Sequence, residues 1–173
     1  VLSQLPIKRK GLTEFTYSRY LVPHLCDYEG FALFMDADML CLTDITNIMN
    51  VVDMAESVSV VKGGTRFEWP SLMLFNNKLC QRLTPNLIEN GVPQSMSWAD
   101  SIGSLPPEWN HCVGYDEPKA AKIVHYTQGI PFWPETKNCE YSKDWWDEAN
   151  KSMSSVSFME LMGNSVHRQR MGL

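Results

Sequence analysis

The chain has 173 residues, 44% of them hydrophobic, and its 20 acidic against 15 basic side chains give a net charge of −5. That length supports one domain with a real core, and the acidic balance excludes a broad polyanion-binding surface; nucleic acid is not an expected partner, although "PIKRK" and "HRQR" near the two ends are small basic patches. No apolar run approaches the ~18 residues of a membrane span, no leader pattern stands at the N-terminus, and Cys26, Cys41, Cys80, Cys112 and Cys139 lack any CxxC pair, so a reducing, cytoplasmic setting is expected.

In chain order, "TEFTYSRYLVPHL" (13–25) places Phe15, Tyr20, Leu21 and Leu25 on roughly one helical face, with Thr13 as a cap and Pro23 as the kink or end. "YEG" at 28–30 turns the chain into the strand "FALFM", which delivers Asp36 and Asp38 at its C-terminal end, where open α/β sheets bind ligands. Further strands are expected at "SVSVVKGG" (57–64) and "SLMLFNN" (71–77), separated by a loop. Residues 78–90 read as a helix interrupted at Pro85, and "WADSIGSLPPEWN" as a loop. "KIVHY" (122–126) is a short strand ending in His125, and "SKDWWDEANKSM" is a last helix before a polar tail.

Within "FALFMDADMLCL" (31–42) the two carboxylates stand one residue apart in an otherwise apolar run. On a strand, residues i and i+2 share a face, so Asp36 and Asp38 point the same way; their mutual repulsion calls for a raised pKa or a cation. Asp, Asp and His suit Mn²⁺ or Mg²⁺ and leave coordination positions for a diphosphate. By themselves the same residues have plainer readings. His125 fits a buried histidine bonded to backbone, Asp100 a turn cap, and Arg19 a surface ion pair. Trp98, Trp109 and Trp133 fit either packing or the aromatic faces that hold sugar rings.

"FTYSRYLVPHL" followed by "GFALFMDADMLCLTDI", and later "IVHYTQGIPFW", resembles the metal-dependent glycosyltransferases of the GT-A fold, most nearly the glycogenin-like and bacterial galactosyltransferase-like group, family eight. The resemblance spans residues 12 to about 134. It implies an α/β fold with a mixed sheet flanked by helices, and a retaining transfer of a hexose from a UDP-linked nucleotide sugar to a carbohydrate or other hydroxyl acceptor. Asp36 and Asp38 would hold Mn²⁺ (or Mg²⁺) and the diphosphate, with His125 as the third protein ligand. Gly129 would allow the backbone close to the diphosphate. Arg19, meeting the donor's phosphate or sugar, and Asp100, near the transferred sugar, are the catalytic candidates.

Three departures from that pattern stand out. The histidine segment has no lysine in "TQGIPFW", Ser101 stands where Gln is frequent, and Pro70 precedes Ser71 where Asn-Ser is frequent. Only 35 residues precede Asp36, whereas a nucleotide-binding half needs roughly 60 to 100. Residues 1–150 are therefore expected to form one partial catalytic domain, truncated at its N-terminus, with 151–173 a polar tail and self-association through an uncovered sheet edge. Two other functions fit the local string: a non-catalytic, truncated interaction domain, and a haloacid-dehalogenase-like phosphatase with Asp36 as nucleophile.

Overall fold

The computed structural model describes residues 5–13, 15–62, 69–117, 120–153, 157 and 160. Two sheets organise them. In the first, β1 (Phe31–Met35) pairs antiparallel with β4 (Leu72–Asn76), β4 antiparallel with β3 (Val58–Val61), and β3 parallel with β5 (Ile102–Leu105), in the order β1-β4-β3-β5. In the second, β2 (Met39–Cys41) lies antiparallel to β7 (Ile123–His125), which runs parallel to β6 (His111–Cys112). The mixed α/β fold expected from the sequence is the one observed.

The central strands carry apolar residues on both faces because both faces are covered. Val58, Val60, Met73 and Phe75 pack with Tyr20, Leu21 and Trp98 on one side, and Val61, Leu72, Leu74 and Leu105 with Ile48, Trp109 and Ile123 on the other. Strand β1 forms one edge of its sheet, and Phe31 at its start is 41% exposed.

Helices occupy the connections. The stretch expected as one helix is α1 (Phe15–Ser18), a 3-10 turn (Arg19–Leu21) and α2 (Val22–Leu25). Pro23 sits in the first turn of α2, where its missing N–H costs nothing, so it helps start a helix and does not end one. Pro85 does the same at the head of α3 (Pro85–Asn90), capped by the Thr84 hydroxyl accepting from the Leu87 N–H at 3.2 Å. The helix expected over 78–90 is thus reduced to this one piece. The last helix, α4 (Ser142–Met153), matches the expectation. The distal end of the strand expected at 57–64 and most of the polar tail lie outside the described residues.

Strand β5 lies where a loop was expected. Gly103 and Ser104 hide β5, since neither favours a strand. The structure shows why glycine is there: Gly103 pairs with Ser59, and a Cβ on it would sit 2.5 Å from the Ser59 Oγ. No helix among the described residues is long and apolar enough to cross a membrane.

Candidate metal centre

Residues 36–38 are not the middle of a strand. Strand β1 ends at Met35 and β2 begins at Met39, so the Asp-Ala-Asp segment is the crossover from one sheet to the other. The Asp36 N–H donates to the Ser71 carbonyl at 2.9 Å, extending the β1–β4 ladder, and the Asp38 carbonyl accepts from the Tyr126 N–H at 3.0 Å, beginning the β2–β7 ladder. Each aspartate is held by a different sheet. The expectation of one shared strand face is corrected accordingly: the turn, pinned at both ends, brings the carboxylates together.

The third member arrives through register. Met39 pairs with His125, which places the imidazole beside the crossover. One ligand atom from each of Asp36, Asp38 and His125 lies within 4.8 Å of the others. On one octahedral Mn²⁺ or Mg²⁺ with bonds of roughly 2.1 Å, trans ligands sit about 4.2 Å apart and cis ligands about 3.0 Å, so these three groups are near enough to converge on such an ion once the side chains close in by up to roughly 2 Å. The His125 Nε2 is 3.4 Å from the Asp38 Oδ1, and its Nδ1 is 3.1 Å from the Asn110 Oδ1. The Asn110 amide in turn donates to the Ser71 Oγ at 2.9 Å.

Arg19 also reaches the centre. Its guanidinium pairs with the Asp36 Oδ1 at 3.1 Å, donates to the Pro70 carbonyl at 2.8 Å and to the Phe15 carbonyl at 3.2 Å, and lies over the Phe34 ring. Burial, above all, pushes the Asp36 carboxyl above its ordinary range, and the neighbouring Asp38 charge adds to this, while Arg19 and His125 pull it back. A carboxyl raised in the folded state contributes stability that is fully present below the ordinary carboxylate pKa and is lost as pH rises through the raised value. Without metal, the melting-temperature difference between Asp36→Asn and the parent should therefore move in the variant's favour as pH is raised from acid to neutrality. A difference constant across that range would show that Asp36 is not perturbed.

Asp100 is not brought to this centre. It precedes β5, which runs parallel to β3, so it lies at the end of the sheet where β1 begins, whereas Asp36 follows the end of β1. Five strand residues separate those ends, roughly 15 Å at ~3.3 Å per residue. There its exposed carboxylate pairs with Arg82 at 2.9 Å. Strand direction, which depends on the unforeseen β5, accounts for this placement. Gly129 lies in the loop after β7 at φ 121°, in a turn closed by its N–H on the Tyr126 carbonyl at 2.8 Å. That φ strains any residue with a side chain, and a Cβ there would press on the Trp133 ring at 3.3 Å, so the position favours glycine. Trp98 and Trp109 are buried in the core, and Trp133 is half-buried in that same loop. Asn110 was not singled out from the sequence, and Ser71 was noted only as the residue after Pro70; the one local signal for Asn110 was a polar residue following a tryptophan.

This crossover between two sheets belongs to a fold found in solved glycosyltransferases. The chain superposes on the WbbM bifunctional glycosyltransferase with a TM-score of 0.57 at 17% identity, and on GlyE of Streptococcus pneumoniae with 0.58 at 21%, in each case over 80% of its own length. It spans only 36% of the WbbM chain and 43% of the GlyE chain. LgtC, a galactosyltransferase solved with donor and acceptor sugar analogues, matches with a TM-score of 0.54 at 10% identity, over 87% of this chain and 71% of that one. In sequence, Protein CDI of Arabidopsis thaliana is 30% identical over 185 aligned positions, covering 84% of this chain and 71% of that protein. The chain belongs to the family of Protein CDI. No family model matches it.

Proposed function

We propose that the chain is a metal-dependent glycosyltransferase of the family-eight kind, moving a hexose from a UDP-linked nucleotide sugar to a hydroxyl acceptor with retention. The observation that carries this reading is the convergence of Asp36, Asp38 and His125 at the junction of two sheets, in a fold shared with sugar transferases. A bound Mn²⁺ or Mg²⁺ would neutralise the charge that develops on the leaving diphosphate. The chain's own part is positional. Asp36 and Asp38 present acceptor oxygens from two sheets, His125 offers an imidazole nitrogen, and Arg19, fixed by two backbone carbonyls, holds a permanent cation beside them. Gly129 keeps the following loop free of a side chain. A phosphatase with Asp36 as nucleophile would need a lysine and a further acidic cluster here; the groups that join the pair are Arg19 and His125.

Calorimetric titration of UDP, GDP and pyrophosphate with and without Mn²⁺, alongside a turnover assay, tests the proposal. UDP binding that requires Mn²⁺, together with sugar transfer, is expected. Diphosphate binding indifferent to chelation of the metal would overturn it.

Arg19 provides a sharper check because its charge acts oppositely on the two ligands. It competes with a cation for Asp36 but attracts a diphosphate. In Arg19→Gln, Mn²⁺ alone should bind roughly five- to tenfold tighter while UDP in the presence of Mn²⁺ binds weaker by a similar factor. Equal changes of the same sign would mean that Arg19 only supports the fold.

A further inference from the structure

The two carboxylates stand on the crossover between the sheets and the imidazole on β7, so something must hold His125 at a fixed angle to the aspartates. We propose that Asn110 is the positioning residue of this centre: its side-chain oxygen fixes the tautomer and aim of His125, and its amide ties that imidazole across to Ser71, just before β4. The proposal rests on reading Asp36, Asp38 and His125 as a metal site.

Asn110 stands just before β6, the strand parallel to β7, and is 5% exposed. Its Oδ1 faces the His125 Nδ1 at 3.1 Å, and the Cys112 thiol approaches the same oxygen at 3.8 Å. Its Nδ2 donates to the Ser71 Oγ at 2.9 Å. An amide oxygen only accepts, so with Oδ1 toward the ring, as proposed, the His125 proton sits on Nδ1 and the lone pair is left on Nε2, the nitrogen 3.4 Å from the Asp38 Oδ1. A neutral imidazole can ligate a cation only through its unprotonated nitrogen, and an acceptor behind the ring both selects that nitrogen and raises its basicity.

The Ser71 contact extends the control. The Ser71 carbonyl holds the Asp36 N–H in the first sheet, and the Tyr126 N–H, next to His125, holds the Asp38 carbonyl in the second. Asn110 bridges the two by side chain, linking Asp36 through Ser71, Asn110, His125 and its chain neighbour Tyr126 to Asp38. Turned end for end, the amide would donate to Nδ1, place the ring proton on Nε2 and disable the ligand. The orientation of one amide therefore decides whether the centre can form.

The test reads the tautomer directly. Long-range ¹H–¹⁵N spectra of the metal-free protein above neutral pH, with His125 assigned by its loss in His125→Gln, should show the Nδ1–H form. Asn110→Ala should lose that preference and weaken Mn²⁺ binding 10- to 100-fold. Asn110→Asp keeps an acceptor facing Nδ1, and should keep both the tautomer and Mn²⁺ binding within a few fold of the parent. A parent protein with the proton on Nε2 would overturn the proposal without any variant, as would an Asn110→Ala protein unchanged in tautomer and affinity. Should the parent fail to bind Mn²⁺ while Asn110→Ala still shifts the tautomer, the metal reading falls and the control of His125 by Asn110 stands.

Discussion

Replacing Asp38 with Asn is expected to weaken Mn²⁺-supported UDP binding by about 100-fold or more, since groups merely behind a metal ligand already account for 10- to 100-fold. The same change should leave the metal-free protein's melting temperature within a few degrees of the parent. The substitution keeps the shape of the side chain and removes one of two neighbouring negative charges. The Asp38 side chain is 42% exposed, and its charge opposes the ionisation of Asp36. What the centre loses is affinity, and what the fold loses is a repulsion. Calorimetry and thermal unfolding on the same preparation separate these effects. A large drop in melting temperature would mark Asp38 as a structural residue.

The second large effect is expected far from the metal. Trp98 is 1% exposed, stacked on Phe75 at 6.1 Å between ring centroids and edge-on to Tyr20 at 6.4 Å, and its indole N–H donates to the Pro93 carbonyl at 2.8 Å. It fills the core cluster that covers one face of the first sheet. Trp98→Ala should cost about 3–5 kcal/mol, lowering the melting temperature by roughly 10 °C. A tryptophan serving as a platform for a sugar ring would behave the other way, with sugar binding lost and the melting temperature unmoved. Thermal unfolding of the variant decides between them.

Asp36, Asp38 and His125 were legible in the sequence because each is a polar side chain ending or interrupting an apolar run, a placement that is costly unless something uses it. The sequence did not disclose how they meet. The pattern places both aspartates at the end of the "FALFM" strand, on one face of it, whereas the chain changes sheet between them, and only long-range pairing with Ser71 and Tyr126 shows this. The distance of Asp100 from the centre was not legible for a related reason. Its position follows from the direction of β5, and that strand is concealed by Gly103, whose lack of a side chain permits the close pairing with Ser59. Pro23 and Pro85 look like breaks in a helical pattern, yet both sit in first turns, where proline is favoured. Asn110 carried almost no local signal, because its partners lie 15 and 39 residues away in the chain.

The central claim is that Asp36, Asp38 and His125 form one divalent-metal centre. Anomalous diffraction from crystals grown with Mn²⁺ and UDP tests it most directly. The account predicts a single strong manganese peak at bonding distance from carboxylate oxygens of Asp36 and Asp38 and from the Nε2 of His125. Manganese bound elsewhere, or no peak at the crossover under saturating Mn²⁺, would contradict it.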